Sequence, residues 1–338
     1  MGITDVAIIK IDNTLALPLY KQIVASVYEA IADGTLKNGD ILPSVNSIAA
    51  MHSLARGSIF KAYNELKTAG IIDSTPGKGY FVTSTNVQLK KNIFLLLSTF
   101  NPYREVLYNA FIEQIRNQAT VDLYFHHHNI NVFETLVRNH AAYYNTFVIM
   151  PEINKKTGGI LKQLDPKKLY ILDSGLNEFG SVYPCVCQNY EKDISGILKA
   201  HFERLKKYKR IVLLFPDNIK TEGVVNGFKA IFKKTDFPAE VIRNTLEYEP
   251  LQFDCCITMD DNDLVKLMRA ARKNKWKLGT DIGILSYNET PLKSIIADGI
   301  TTITTDFEQM GKSMADMVIK NKPRCIENPF LMIDRKSF

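Results

Sequence analysis

The sequence has little cysteine, a single tryptophan and no long hydrophobic run. None of its apolar stretches approaches the roughly 20 residues that cross a membrane. The N-terminus has neither the basic start nor the apolar core of a secretory signal. We therefore expect a cytoplasmic protein with no membrane association. Its 338 residues suffice for two or three domains of about 100–200 residues each.

The cysteines are few and scattered, and they form no metal-binding pattern. They are Cys185, Cys187, Cys255, Cys256 and Cys325. No C-x-x-C pair and no histidine at ligand spacing accompanies them, so the sequence predicts no metal and no cofactor. An odd, scattered set is typical of reduced thiols in a cytoplasm.

Catalytic signatures are also missing from the sequence. It contains no G-x-S-x-G, no P-loop, no H-E-x-x-H and no dinucleotide fingerprint at a strand–helix turn. We therefore do not expect an enzyme. The net charge of +6 invites a nucleic-acid interpretation, but residues 1–85 hold seven basic and seven acidic side chains. Any binding of DNA by this part of the chain must depend on where individual charges lie.

The first 83 residues read as three helices followed by a hairpin. Apolar residues recur at helical spacing over 18–33, and Ser44 can cap a second helix. A third helix is predicted from Arg56 to Ala69, with Ile59, Phe60, Tyr63 and Leu66 on its inward side. Two short strands then enclose a turn at 76–79. This order predicts a winged helix-turn-helix, in which the third helix enters the major groove of DNA.

This segment resembles the GntR family of bacterial transcription regulators. The residues that carry the resemblance are Pro18, Tyr20, Gln22, Gly34, Gly39, Asp40, Leu42, Pro43, Ser44, Ala55, Arg56, Ser58, Lys61, Ala62, Tyr63, Leu66, Gly70, Gly77, Gly79 and Phe81. The family usually has an arginine at position 46 and a threonine at position 58, where this chain has Asn46 and Ser58.

The resemblance implies double-stranded operator DNA as the partner. The residues that it places on the DNA are Ser44, Asn46, Arg56, Gly57, Ser58, Lys61, Gly77, Lys78 and Gly79. A winged helix that contacts another protein is the alternative for this segment. Residues 84–91 are polar and show the apolar spacing of neither a helix nor a strand. They are therefore predicted to be a linker between residues 1–83 and a second domain over 92–338.

From Ile93 onward, apolar runs of five to seven residues alternate with amphipathic helices. Strands are predicted at 94–100, 121–127, 146–151, 169–174, 210–216, 254–259 and 281–288. This alternation is typical of α/β proteins with parallel sheets covered on both faces. Ligands of such sheets bind beyond the carboxyl ends of the strands.

The same region resembles the effector domain of lac-repressor-type regulators and ribose-type binding proteins. The motifs are Asn101, Pro102 and Tyr103; Gly227 and Phe228; residues 285–288; Thr304, Thr305, Met310 and Gly311; and Leu331, Arg335 and Ser337. The resemblance implies a two-lobed, periplasmic-binding-protein-like (type I) fold. Its first lobe would span about 92–175 and 289–320, its second about 176–287 and 323–338. The chain would cross between lobes near Ser174, near 287–288 and near 319–323.

Polar residues at the predicted strand ends are the candidate ligand contacts. They are Tyr103, Arg104, His126, Glu152, Asp173, Glu222, Asp260 and Asn288. A sugar needs donors and acceptors in fixed directions together with aromatic faces. Each of these acidic residues could instead cap a helix or pair on the surface. His126 belongs to a run of three histidines, but neighbours in a strand point to opposite faces, which argues against a metal site there.

Taken together, the two resemblances imply a homodimeric transcription regulator whose layout is similar to that of arabinose-repressor-type proteins. We expect a repressor of carbohydrate-utilisation genes that is released from its operator by a monosaccharide of pentose or deoxyhexose type. One alternative is a transport-type sugar-binding protein, which the predicted DNA-binding head argues against. The other is a pyridoxal-phosphate-dependent member of the same regulator family, which needs well over 300 residues after the head.

Overall fold

The computed structural model describes residues 8–12, 18–85, 91–141, 143–233 and 235–338. Backbone contacts divide the chain into two compact units. The first contains residues up to Asn92 together with Val137–Asn145, and the second contains Ile93–Leu136 and Thr146–Phe338. Most of the predicted linker, residues 86–90, lies outside the described residues.

The first unit has the predicted order of three helices and a hairpin. Its elements are α1 (Leu19–Ala32), α2 (Val45–His52), α3 (Arg56–Thr68), β1 (Ile72–Thr75) and β2 (Gly79–Val82). Strands β1 and β2 pair antiparallel. The core is formed by the fully buried side chains of Ile23, Val27, Ile59, Tyr63 and Val82. The winged helix predicted from the sequence is confirmed.

One expectation for α3 was wrong. Phe60 was predicted to point inward with Ile59 and Tyr63, yet 46% of its surface is exposed. The apolar stripe of α3 is narrower than the sequence suggested, because Ile59, Ala62, Tyr63 and Leu66 already fill the space against α1 and α2.

The second unit contains two sheets, each covered by helices. The strands of the first sheet are β3 (Lys91–Leu97), β4 (Ala119–Phe125), β5 (Thr146–Ile149), β6 (Leu169–Asp173), β7 (Cys185–Cys187) and β13 (Cys325–Glu327). Their spatial order is β13-β7-β6-β5-β3-β4. The helices between them are α4 (Pro102–Ile115), α5 (Ile130–His140), α6 (Thr157–Leu161) and α7 (Leu176–Phe179). We call this sheet with its helices lobe I.

The second sheet has the same plan. Its strands are β8 (Arg210–Leu214), β9 (Ala239–Ile242), β10 (Asp254–Thr258), β11 (Gly283–Tyr287), β12 (Thr301–Thr305) and β14 (Phe330–Ile333). Their order is β14-β12-β11-β10-β8-β9, and β14 runs antiparallel to β12. Helices α8 (Tyr190–Ala200), α9 (Phe202–Leu205), α10 (Glu222–Phe232) and α11 (Asp261–Asn274) belong to this lobe II. The last helix, α12 (Phe307–Lys320), packs on α4 of lobe I.

The three crossings between lobes lie further along the chain than expected. The expected sites were Ser174, 287–288 and 319–323, whereas the sheets place the crossings at 188–189, at Asp306 and at 328–329. The lobe limits expected from the sequence were therefore wrong. Strand β7 belongs to lobe I, β12 to lobe II and β13 to lobe I, because an apolar run shows that a strand is buried but not which sheet it joins.

The expectation of five reduced thiols was also wrong for one pair. Cys185 and Cys325 form a disulfide between β7 and β13, with their Cα atoms 4.6 Å apart. They are direct partners in the parallel register of these strands. A separation of 140 residues hid this proximity from the sequence. Cys187, Cys255 and Cys256 are free and buried.

Within the described residues, no helix has both the length and the apolar character needed to cross a membrane.

Candidate functional site

The first candidate surface lies on the winged unit, where α2 and α3 begin. The Ser44 hydroxyl caps α2 by accepting a hydrogen bond from the Ser47 N–H at 3.0 Å. Asn46, in the first turn of α2, is exposed. Ser44 and Asn46 line a groove of about 860 Å³ together with Ile41, Phe60 and Lys78. The groove therefore joins the start of α2, the middle of α3 and the wing.

Helix α3 turns its polar side outward. Arg56, Gly57 and Lys61 are exposed, and Ser58 is half-buried. The Lys61 ammonium lies 4.0 Å from the centre of the Tyr20 ring, so a cation–π contact restrains it. This leaves basic side chains at two successive turns of the helix.

The wing presents a backbone turn with a single charge. Gly77 and Gly79 have φ values of 84° and 81°, which side chains other than glycine rarely adopt. Lys78 lies between them and is exposed.

The nine residues expected on DNA thus lie at the start of α2, on α3 and in the wing. Phe60 was missed as a surface residue, since an apolar residue beside an apolar stripe gives no sign of exposure.

The second candidate site is a cavity of about 400 Å³ between lobes I and II. It lies beyond the carboxyl ends of the strands of both sheets, as expected for such folds. Its volume falls within the range of about 300–1,000 Å³ usual for small-molecule sites. Five of the predicted ligand residues line it, namely Tyr103, Arg104, Glu152, Asp173 and Asn288.

Arg104 is the best-supported side chain in the cavity. It lies in the first turn of α4, whose cap Asn101 accepts a hydrogen bond from the Arg104 N–H at 3.1 Å. Its guanidinium donates to the Ser98 hydroxyl, to Thr99 Oγ1 at 2.9 Å and to Asp173 Oδ2 at 3.3 Å. The guanidinium is thereby held in one orientation with its charge balanced.

Glu152 forms the second charged cluster, and this cluster joins the two lobes. Its carboxylate is paired with His128 Nδ1 at 3.1 Å and with Lys220 Nζ at 3.2 Å. His128 follows β4 of lobe I, whereas Lys220 precedes α10 of lobe II. The Glu152 side chain is nearly buried, with 6% of it exposed. The Glu152–Lys220 ion pair therefore joins one side chain from each lobe at the cavity, and solvent weakens it because 66% of Lys220 is exposed.

Aromatic rings form the walls of the cavity. Tyr103 and Phe307 have ring centres 4.9 Å apart, and Tyr190 and Tyr287 also line the cavity. Burial raises the pKa of Tyr103 above its ordinary value and raises the pKa values of Tyr190 and Tyr287 well above theirs. The three phenols are therefore neutral hydrogen-bonding groups attached to apolar faces.

Several buried polar atoms of the cavity lining have no hydrogen-bond partner within the described part of the chain. They are Arg104 Nε, Gln188 Oε1, Tyr287 Oη and Asn288 Oδ1. One is a donor, two are acceptors and the phenol can be either. Buried polar groups are nearly always paired, so these atoms are suited to a ligand that offers both donors and acceptors.

Three predicted ligand residues do not line the cavity. His126 is fully buried behind it, where its Nε2 hydrogen-bonds to the Met150 carbonyl oxygen at 3.1 Å. Glu222 lies on the surface and pairs with Arg243 at 2.8 Å. Asp260 caps α11 by accepting from the Asp263 N–H at 2.9 Å. The expected orientation of Asp260 into the cleft was wrong, because its carboxylate turns to its own helix.

The histidine run also differs from its prediction. Strand β4 ends at Phe125, and His127 and His128 have φ values of 49° and 55°. The alternation of a strand therefore does not extend to them. The described residues contain no group of three or more His, Cys, Asp or Glu side chains that could hold a metal ion.

Sequence reasoning missed several residues of the lining. Gln188 and Tyr190 lie where the chain crosses between lobes, and Asn218 and Lys220 lie in the loop after β8. Gln188 Nε2 donates to Asp173 Oδ1 at 2.6 Å. The only sequence signal for Lys220 was its place shortly after a predicted strand, which many surface lysines share.

Comparison with known proteins agrees with this architecture. The family model for bacterial regulatory proteins of the gntR family matches residues 19–82, and that for periplasmic-binding-protein-like domains matches residues 200–337. The HTH-type transcriptional repressor YtrA of Bacillus subtilis is 36% identical over 75 residues, which is 22% of this chain and 58% of YtrA. The chain thus spans little more than half of this relative.

Solved structures resemble the second unit. The trehalose repressor from Escherichia coli superimposes with a TM-score of 0.60 at 12% identity, covering 72% of this chain and 100% of that one. A LacI family transcriptional regulator from Enterococcus faecium with bound ribose gives a TM-score of 0.57 at 17% identity, covering 73% and 98%. The chain therefore combines a winged helix-turn-helix domain that matches the gntR family model with a two-lobed domain of periplasmic-binding-protein-like fold.

Proposed function

We propose that this protein is a DNA-binding transcription regulator whose cleft binds a neutral monosaccharide of pentose or deoxyhexose type. The winged unit would bind an operator half-site, and sugar in the cleft would release it, as in a repressor of carbohydrate-utilisation genes. The observation that carries the sugar assignment is the set of unpartnered polar atoms around an aromatic-walled cavity. A polyol satisfies donors and acceptors in fixed directions while its C–H face packs on a ring.

Charge balance in the cavity favours an uncharged ligand. Arg104 is paired with Asp173, and Lys220 is paired with Glu152. The Arg104–Asp173 pair is buried. Freeing Arg104 to neutralise a phosphate would break this pair, which costs about 3–5 kcal/mol. The ribose bound to the E. faecium relative is a neutral pentose and supports the same class of ligand.

A monosaccharide screen by thermal shift tests the sugar proposal. A cleft ligand at 100 times its Kd stabilises the folded state by about 2.7 kcal/mol, which raises the melting temperature. We expect a rise with one or more pentoses or deoxyhexoses and none with their phosphates. A flat response across pentoses, hexoses and deoxy sugars would contradict the proposal.

Two variants test whether the thermal shift arises from sugar bound in the cavity. Arg104→Lys keeps a positive charge beside Asp173 but removes the guanidinium fork, so it is expected to weaken sugar binding at least about tenfold, as for the loss of a charged hydrogen bond. Glu222→Gln removes a carboxylate at the start of α10 that lies outside the cavity, and it is expected to leave the thermal shift unchanged.

The assembly proposed is a homodimer formed through lobe II. Apolar side chains are exposed along α11 and the segment that follows β11, including Val265, Leu292 and Ile295, of which Ile295 is 73% exposed. They border a groove of about 570 Å³ whose charged lining, Asp261, Arg269, Arg272 and Lys293, has both signs. Such a patch can pair with itself about a two-fold axis, and two heads match an operator with two half-sites.

Analytical ultracentrifugation measures whether the protein is a dimer or a monomer. Ile295→Asp places a charge in the patch and is expected to give monomers, whereas Leu246→Asp changes a residue that is 88% exposed in the loop after β9 and should leave the dimer intact. A wild-type monomer at micromolar concentration would contradict the dimer proposal.

A further inference from the structure

Phe60 is an exposed aromatic ring on the helix proposed to enter the major groove. It is 46% exposed, although its neighbours Ile59 and Tyr63 are fully buried. The core of the winged unit is therefore complete without this ring. A single exposed apolar residue is common on protein surfaces, so what Phe60 can contact depends on its place on α3 and on the residues around it.

The position of Phe60 on α3 sets what its ring can reach. Helix α3 begins at Arg56 and ends at Thr68, so Phe60 lies in its N-terminal half. In helix-turn-helix proteins this half of the recognition helix faces the base edges.

The residues around Phe60 are of types that contact phosphates and bases of DNA. The same groove is lined by Ser44, Asn46 and Lys78, and Lys61 follows it on the helix. Lysine reaches phosphates, while asparagine pairs with adenine and small hydroxyls bond to several bases. Ile41 is a second exposed apolar side chain of this groove (64% exposed), and Phe60 is the one carried by α3.

We infer that Phe60 contacts the C5-methyl group of a thymine in the operator and makes the protein select a T·A pair at that position. The inference rests on the proposed operator binding. Thymine is the base that displays a methyl group in the major groove, and apolar side chains recognise it there. Phe60 has no hydrogen-bonding group, so a methyl is the base feature that it can distinguish.

The test replaces thymine by deoxyuridine, which removes the methyl and keeps every hydrogen-bonding group. An operator is first selected from a random duplex pool with the full-length wild-type protein. Each thymine of a half-site is then changed singly to deoxyuridine, and affinity is measured by fluorescence anisotropy. We expect one thymine at which the change weakens wild-type binding by about fourfold, the effect of burying one methyl group.

Variants assign that thymine to Phe60. Phe60→Ala is expected to bind the thymine and deoxyuridine operators equally, and Phe60→Leu to retain part of the difference. Met51→Ala, which changes another exposed apolar residue of the same unit (40% exposed), should behave as wild type. Because Phe60 lies outside the core, the melting temperature of Phe60→Ala should match that of wild type.

Two kinds of result would overturn the inference. If the protein selects an operator but no deoxyuridine change weakens binding, or if the weakening persists in Phe60→Ala, Phe60 does not read a methyl group while operator binding stands. A shift in oligomeric state of Phe60→Ala without loss of methyl discrimination would likewise assign the ring to a protein contact. If no operator can be selected at all, the proposed function fails first and this inference fails with it.

Discussion

His126 has its protonation state determined by burial. Its side chain is fully buried, with Nδ1 4.0 Å from Glu152 and its ring edge-on to Phe133. Burial lowers its pKa from 6.5 to about 4, and the nearby carboxylate opposes this shift only partly. The imidazole is therefore neutral at physiological pH, which suits its hydrogen bond to the Met150 carbonyl and excludes it as a charged ligand contact.

The free energy of unfolding should decrease as the pH is lowered, because of this histidine. Between pH 6.5 and about 4 the unfolded chain binds a proton at His126 and the folded chain does not, so stability is present above this window and is lost as pH falls through it. The full difference is about 3 kcal/mol at about 1.4 kcal/mol per pKa unit. Urea unfolding followed by circular dichroism should show that His126→Gln loses less stability than wild type between pH 7 and 4. Parallel losses in the two proteins would contradict the buried neutral state.

Lys61 should contribute one phosphate contact to operator binding. The Tyr20 ring holds its ammonium in place, and each phosphate contact adds about 0.9 to the magnitude of the slope of log K against log salt. Lys61→Ala is expected to weaken operator binding, to reduce this slope by about 1 and to leave sugar binding intact. Anisotropy titrations at several salt concentrations measure both quantities.

Lys199→Ala is the control for charge, since it removes one positive charge from an exposed position of α8. Operator affinity that is the same in Lys61→Ala and wild type would remove Lys61 from the DNA surface.

Residue type and position in the sequence predicted some of the residues that line the cavity but not others. Arg104, Asp173 and Asn288 could be predicted to line the cavity because each directly follows a strand or starts the next helix at the carboxyl edge of a sheet. Asp260 and Glu222 share that sequence position, yet one caps its helix and the other pairs with Arg243. Whether a carboxylate turns toward its own helix or into the cleft depends on local hydrogen bonds, which sequence position alone does not specify.

At the scale of elements, the three crossings meet at Asn328. Its backbone N–H donates to the Cys187 carbonyl at 2.8 Å. Its side-chain amide donates to Thr305 Oγ1 and to the Asp306 carbonyl, each at 2.8 Å. Asn328 is buried and thus ties together the segments that lead from one lobe to the other.

Asn328→Ala removes the side-chain bonds and leaves buried acceptors unpaired, which is expected to lower the free energy of unfolding by about 1–3 kcal/mol. Urea unfolding can be followed by the fluorescence of the single tryptophan, Trp276, which is partly buried against the core of lobe II. Asn274→Ala, on the exposed end of α11, should change stability by less than about 0.5 kcal/mol. Equal stabilities of Asn328→Ala and wild type would show that the crossings do not depend on this amide.

Periodicity predicted these elements better than their arrangement. The seven strands predicted from apolar runs lie within a few residues of their predicted bounds, because a buried run is a local signal. The short strands β7, β9 and β13 have three or four residues each, too few to show a period. The lobes to which β7, β12 and β13 belong could not be predicted, because strand pairing depends on distant parts of the chain.

The whole molecule is proposed to combine operator binding and sugar binding in one chain. The lobes are already linked across the cavity by Glu152 and Lys220 and at the crossings by Asn328. A sugar that fills the cavity would favour one arrangement of the lobes. It can shift operator binding only by its difference in affinity for the operator-bound and free states, a coupling of about 1–3 kcal/mol in most regulators.

The most direct test of this account is the affinity for a selected operator with and without a saturating sugar, at fixed salt and with the same protein preparation. A sugar identified by thermal shift is expected to weaken operator binding by about 5- to 150-fold, and Arg104→Lys is expected to need at least about tenfold more sugar for the same effect. Saturating sugar that binds the cleft but leaves operator affinity unchanged would contradict it.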